Sequence, residues 1–279
     1  MSLARTNPIS LTVYCAQAGD HNALAMAGAK SVGAALSSRL GIPVKIIGTP
    51  GSALNADWKT ELAAAMPALS ELAKHLDSVF RQRQTPVSAL SRCAAALATL
   101  PVVMRHRPDA CVVWFDAHGD LNTPQTSISG YLGGMALAGP SGLWDSGLGN
   151  GLPLANIILV GARDLDPAEQ ALADSGRVAM VPAKGDILAQ LRTALGGRAA
   201  YVHLDCDVLD PGIVPTDYRV AGGLDLARLR GLCAVLAETE IIGLEIAEFE
   251  DSWADSGMPA APDALLDALE PVIARLGTD

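Results

Sequence analysis

Two hydrophobic periods alternate along this chain. Short apolar, β-branched runs at residues 10–15, 43–47, 110–115, 156–161, 178–181, 199–205 and 241–247 predict strands. Longer stretches with helical spacing fall at 23–40, 57–81, 92–106, 167–175, 186–195, 226–238 and 263–276. Strands that read as unbroken apolar runs are covered on both faces, as in a parallel sheet sandwiched by helices. The alternation predicts one doubly wound α/β domain spanning 1–279. No internal repeat or low-complexity linker breaks it. Residues 123–151, rich in Gly, Ser, Thr and Pro, are too long for a plain connection and read as a functional loop after a strand. Ligands of such sheets bind beyond the carboxyl ends of the strands, so polar residues there matter most.

Two strand ends carry them. The run Cys111-Val112-Val113-Trp114-Phe115-Asp116-Ala117-His118-Gly119-Asp120 ends an apolar strand in three polar residues spaced by two. If the extended backbone continues, Asp116, His118 and Asp120 point to one side. Such a set is costly to desolvate unless a cation sits among it, which favours a divalent metal; the competing reading is turn and capping residues. The run His203-Leu204-Asp205-Cys206-Asp207 repeats the device. Asp205 and Asp207 share a face, with His203 if the strand reaches that far, and Cys206 points the other way as a packing residue. Four carboxylates in one crevice cannot all stay ionised without cations. They suit two divalent ions with shared carboxylates, Mn, Mg, Fe or Zn before Cu.

Composition narrows the partners. The length, 279 residues, is near the upper limit of a single core. Lys plus Arg is 20 and Asp plus Glu is 30, a formal charge of −10, which repels nucleic acid and anionic membrane surfaces. Aromatic residues at 4% leave little for base stacking. No apolar run approaches the roughly 18 residues of a membrane span. Residues 1–20 make a poor signal peptide and a good first strand. The cysteines Cys15, Cys93, Cys111, Cys206 and Cys233 are odd in number and lack CxxC spacing, so a reducing cytoplasm is expected rather than a disulfide framework.

The segments WFDAHGDLNTP and HLDCDVLDPGIVP resemble the two metal-binding signatures of the arginase/agmatinase/formiminoglutamase (ureohydrolase) family. Gly161-Ala162-Arg163-Asp164-Leu165-Asp166-Pro167 and Ala247-Glu248 resemble further family segments, so the similarity runs in order along nearly the whole chain. It implies a three-layer α/β/α fold with a central, mostly parallel sheet, a dinuclear Mn2+ centre, and hydrolysis of a guanidino or amidine C–N bond by metal-activated hydroxide. Carried over residue by residue, Asp116, His118, Asp120, Asp205 and Asp207 match five of six metal ligands, with Asp116 and Asp205 bridging. Asp120 is also counted with the catalytic set. Glu248 matches the carboxylate that receives the substrate guanidinium, a planar cation suited to bidentate pairing. Asn122, Ser127 and Ser129 match positions that hold an α-carboxylate, and Asp166 one that faces an α-amino group; loop capping is the other reading of these four. Asp210 reads as structural. The resemblance further implies a homo-oligomer, trimer or hexamer.

Two positions depart from the family pattern. Cys93 stands where the sixth ligand, a histidine, is expected, and Arg92 where an aspartate precedes it. A thiolate prefers softer ions than Mn, so either Cys93 is the sixth ligand or one site is weak. Arg92 could hold Cys93 as thiolate or oppose the cation. Gly133 stands where family enzymes acting on arginine or agmatine carry a histidine that moves a proton to the leaving amine. His203 is the candidate to replace it; a buried, non-transferring histidine is the other reading. His21, His75 and His106 read as surface or capping residues. The expectation is an amidine-cleaving metal hydrolase; the alternatives are a family homologue that binds a metal or guanidino ligand in regulation, and a hydrolase of amides or acetylated amines.

Overall fold

A computed structural model describes residues 7–278. Residues 1–6, part of the segment weighed as a signal peptide, lie outside the described residues. All seven expected strands form: β1 (Ile9–Tyr14), β2 (Val44–Ile47), β4 (Cys111–Phe115), β5 (Ile157–Val160), β6 (Ala179–Val181), β7 (Ala200–Asp205) and β8 (Ile241–Ala247). An eighth, β3 (Thr85–Leu90), was not anticipated. Its sequence, TPVSAL, is broken by Pro86 and Ser88, and proline normally argues against a central strand. Here β3 lies fully buried between β1 and β8.

The helices are α1 (Leu24–Leu40), α2 (Trp58–Arg81), α3 (Ala96–His106), α4 (Pro167–Asp174), α5 (Ile187–Leu195), α6 (Leu226–Leu236) and α7 (Asp263–Arg275). The stretch expected to be one helix over 92–106 is a short 3-10 turn, Cys93–Ala95, leading into α3. Local signals account for the ends. Asp57 caps α2 by accepting the N–H groups of Lys59 and Thr60. Asp166 and Glu169 form a reciprocal capping box on α4, with Pro167 in its first turn.

The sheet is parallel throughout, in the order β2-β1-β3-β8-β7-β4-β5-β6. Strand side chains alternate between two cores. Cys111, Val113 and Phe115 join Val32, Leu191, Leu232 and Val272 of α1, α5, α6 and α7; Val112 and Trp114 join Leu69, Leu76 and Leu100 of α2 and α3. This is the expected three-layer α/β/α arrangement. Cys206 sits in the first core, fully buried, as the packing residue it was expected to be. Consecutive strands β3 and β4 lie on opposite sides of the β8–β7 pair. That break in strand order opens a crevice at the carboxyl ends, where β3, β8, β7 and β4, four adjacent strands, deliver Cys93, Glu248, Asp205 and Asp116.

Candidate active site

The extended continuation expected after β4 and β7 does not occur. Both chains turn at once, and the same short-range bond makes each turn. Asp116 Oδ1 accepts the His118 N–H at 2.6 Å, and Asp205 Oδ1 accepts the Asp207 N–H at 2.7 Å. The turn-making reading therefore applies to these aspartates: Oδ1 of each holds its turn, while Asp116 Oδ2 meets the Trp114 indole N–H and Asp205 Oδ2 lies 3.0 Å from Cys93 Sγ. Asp207 ties the two turns together. Its Oδ1 accepts the Ala117 N–H at 3.0 Å, and its Oδ2 lies 3.1 Å from His118 Nδ1. Asp120 and Glu248 have left-handed backbones, φ 52° and 64°. Non-glycine residues adopt these only where the surroundings impose them, which is common at functional sites.

These side chains converge. Ligand atoms of Asp116, His118 and Asp207 lie within 4.8 Å of one another, as do those of Cys93, Asp116 and Asp120, and those of Cys93, Asp205 and Glu248. Asp116 and Cys93 each belong to two groups, so the sets are contiguous. A cavity of about 310 Å³ opens onto them, lined also by Asn122, Ser127, Ser129 and Asp166. Every site residue expected from sequence thus reaches this cavity or the cluster beneath it, except His203. No lysine lines the cavity among the described residues.

Burial makes the cluster electrostatically unfavourable. It pushes the Asp120 and Asp205 carboxyls well above the usual range, reinforced by the Asp116 charge on Asp120 and by Asp207 and Asp116 on Asp205. Glu248 is pushed up to about 7 by burial, against the opposing pull of Arg92. His118 responds in the other direction: burial disfavours its cation, yet Asp116 and Asp207 outweigh that and raise its pKa well above the usual value. A nitrogen between two carboxylates, backed by further carboxylates that repel each other, is a donor set that a divalent cation fits.

Outer contacts fix the donors. Trp114 Nε1 donates to Asp116 Oδ2 at 2.9 Å. Glu169 accepts the Leu121 N–H at 2.9 Å and the Asp166 N–H at 2.9 Å, joining the Asp120 loop to the start of α4. Arg163 donates to the carbonyls of Asp207, Gly161 and Val220, which clamps the turn after β7. Asp210 accepts the Gly222 and Gly223 N–H groups, the structural role expected of it.

His203 is placed otherwise than expected of a proton donor to substrate. It is fully buried, stacked on Trp114 with centroids 3.6 Å apart, and absent from the cavity wall. Its Nδ1 lies 3.0 Å from Glu245 Oε2, and Tyr201 Oη donates to the other Glu245 oxygen at 2.7 Å. The carboxylate only accepts, so Nδ1 carries a proton and Nε2 faces Cys93 Sγ at 3.1 Å. The single Cys93 S–H therefore lies between two acceptors, His203 Nε2 and Asp205 Oδ2, the latter at 3.0 Å. Burial, Asp205 and Glu248 hold the thiol pKa well above its usual value. Arg92 does not create a thiolate, because its guanidinium turns away, toward Glu248 and Asp20.

Sequence reasoning missed an aromatic wall. Tyr131 stacks on His21 with centroids 4.7 Å apart, and Tyr218 lies 5.5 Å from Tyr131 and 5.3 Å from His118. A Cβ on Gly133 would meet Tyr131 Cε1 at 2.3 Å, so the tyrosine ring fills the space a side chain at 133 would need. An aromatic two residues before a glycine pair was the available signal. His21, exposed as expected, stacks on the cavity-lining Tyr131 and is bonded to Asp217 at 3.0 Å.

Residues 53–262 match the Arginase family. The chain belongs to that family. Within it, the chain is 36% identical over 264 residues to an N(omega)-hydroxy-L-arginine amidinohydrolase of Streptomyces lavendulae, covering 94% of this chain and 96% of the relative. An arginase of Bacillus caldovelox is 30% identical over 199 residues, 65% of this chain and 66% of that one. Among solved structures, arginase from Bacillus subtilis superposes with a TM-score of 0.80 at 22% identity, covering 98% of this chain and 99% of that one, which supports the fold. This arginase-family protein is a metal-dependent hydrolase of the C–N bond in a linear amidino group. Among the described residues no helix is long and apolar enough to cross a membrane.

Proposed function

We propose that this arginase-family hydrolase acts on an N-hydroxyguanidino amino acid of the N(omega)-hydroxy-L-arginine type, with two Mn2+ ions as its resident cofactor. Water adds to the amidino carbon and the bond to the side-chain nitrogen breaks, giving a primary amine and an N-hydroxyurea. The observation that carries the reading is the convergence of Cys93, Asp116, His118, Asp120, Asp205 and Asp207 beside Glu248 under one amino-acid-sized cavity. The relative that matches over nearly full length is named for that substrate.

His118, Asp116, Asp205 and Asp207 would hold one ion, and Cys93, Asp116, Asp120 and Asp205 the other. When bound, the ions supply Lewis acidity, lowering the pKa of water to near neutrality and offsetting the buried carboxylates. The chain's own groups do the rest. Glu248 accepts N–H groups of the amidino head and sets its plane above the cluster. Asn122, Ser127 and Ser129 receive the α-carboxylate, and Asp166, held by the Asn122 amide at 2.8 Å, faces the α-ammonium. Tyr131 and Tyr218 close the cavity against bulk water. Without a histidine at 133, proton return to the leaving amine falls to solvent.

The test is purification with Mn2+, elemental analysis, and turnover assays on N(omega)-hydroxy-L-arginine, arginine, agmatine, guanidino acids and formiminoglutamate. Primary amine and N-hydroxyurea should form from the first. No turnover of any of them by fully metallated protein overturns the proposal and returns the regulatory-homologue reading.

A further inference from the structure

Arg92 is among the largest fully buried side chains, and among the described residues every other arginine is at the surface or half-buried. Its Nη1 donates to Glu248 Oε2 at 2.7 Å and its Nε to Asp20 Oδ1 at 2.9 Å. Its Nη2 donates to the Asn22 carbonyl at 3.3 Å, and Nη1 lies 3.5 Å from Asp217 Oδ2. The second Glu248 oxygen, Oε1, accepts the Cys93 N–H at 2.7 Å. The carboxylate expected to receive the substrate's guanidinium is therefore already paired with a guanidinium of the protein.

This changes what Glu248 offers a ligand. An ionised carboxylate has about four acceptor positions. Two are filled here, and two remain for N–H groups of a substrate. Its charge is different: Arg92 sits in direct contact and cannot lose its proton in a protein. An incoming cation meets a Glu248 charge partly offset by Arg92, which Asp20 and Asp217 also share, and at short range meets the Arg92 guanidinium itself. An uncharged amidino group keeps the hydrogen bonds and escapes the repulsion.

We propose that Arg92 is a positioning residue that sets the charge class of the substrate. By pairing with Glu248 it disfavours strongly basic guanidinium groups and favours amidino groups of low basicity, which arrive uncharged. An electron-withdrawing N-hydroxy substituent lowers basicity in this way. The inference rests on the proposed function for its reaction, but not for its charge preference.

The test has two arms. In the first, kcat/KM is measured for arginine and N(omega)-hydroxy-L-arginine with the Mn2+-loaded wild type, Arg92→Gln and Arg92→Lys. Arg92→Gln keeps an N–H donor and removes the charge, and should raise the arginine-to-hydroxyarginine ratio at least about tenfold, chiefly through KM for arginine. Arg92→Lys should keep the wild-type ratio. A folded Arg92→Gln whose ratio stays within twofold of wild type overturns the proposal. The second arm uses the wild type alone and decides the matter if Arg92→Gln does not fold. Calorimetry should find that citrulline, the uncharged ureido isostere, binds at least as tightly as arginine. Arginine binding tenfold tighter overturns it. If the wild type hydrolyses neither amidino compound, the proposed function fails while the calorimetric comparison still decides the role of Arg92.

Discussion

Stripping the divalent ions should cost this protein more stability at pH 8 than at pH 5. The reason lies in the buried acids of the cavity. In the ion-free fold, burial pushes Glu248 and Glu169 up to about 7 from 4.5, and pushes Asp120 and Asp205 well above their usual range. The unfolded chain releases the Glu protons near 4.5, so between about pH 4.5 and 7 the folded state binds more protons than the unfolded one. Stability must then fall as pH rises through that window. His118 adds the same sign above its ordinary value of 6.5, because Asp116 and Asp207 keep it protonated in the fold. For Glu248, the difference between 4.5 and about 7 corresponds to roughly 3 kcal/mol. In a domain of this size that is a fall in Tm on the order of 5–10 °C. Bound ions take the place of the protons, and their stabilisation grows as the carboxylates ionise. The assay is thermal unfolding of chelator-treated and Mn2+-loaded protein from pH 5 to 8.5 at constant ionic strength. The gap between the two curves should widen with pH, driven by decline of the ion-free form. An ion-free Tm that rises between pH 5 and 8, or a gap independent of pH, refutes the reasoning.

Other perturbations probe single links. Asp205→Ala removes a cluster carboxylate and the Asp207 turn; elemental analysis should show loss of both ions and activity should drop at least about 100-fold, whereas retention of two ions would show the ligand assignment to be wrong. Gly133→His alone should expel the Tyr131 ring from the cavity and raise KM, and pairing it with Tyr131→Gly should recover binding, because the clash of 2.3 Å is with that ring; equal damage in the single and double variants would refute a steric cause. Gly28→Ala, far from the cluster on α1, would place a Cβ 1.7 Å from the Phe249 carbonyl, so it should destabilise by roughly 1–3 kcal/mol and lower activity by moving Glu248; unchanged unfolding and kinetics would show that this contact does not position the site.

The layered fold was legible because its signal is local and redundant. Seven of the strands are predominantly apolar, β-branched runs, and a parallel sheet covered on both faces favours that pattern. The eighth escaped because Pro86 and Ser88 break the run in β3. Its burial comes from its neighbours β1 and β8, which periodicity within the segment cannot report. The clustered aspartates were legible as a set, but the extended geometry expected of them does not occur. Alternation in an extended strand was expected to align them, whereas a side-chain-to-backbone bond two residues ahead bends each strand end. The carboxylates still meet because Asp207 joins the two turns, accepting the Ala117 N–H and lying against His118 Nδ1.

What sequence could not supply is the partner of each departure from the family pattern. Cys93 and Gly133 are visible as substitutions, but the meaning of Cys93 depends on residues over 100 positions away, and that of Gly133 on where a ring two positions earlier points. His203 and Asp205 come from β7 to hold the Cys93 thiol, and the Tyr131 ring makes glycine at 133 a steric necessity rather than an empty place. Arg92 and Glu248 are 156 positions apart and meet because β3 and β8 are neighbours in the sheet. The site is therefore less a family site with pieces missing than one in which three changes support one another. A thiol stands with an imidazole behind it, a phenol ring occupies the space of a side chain at 133, and an internal guanidinium sits on the carboxylate that would otherwise select for one. Of the three, the pairing of Arg92 with Glu248 is the one that bears on substrate charge, and the proposed preference for a less basic amidino group rests on it.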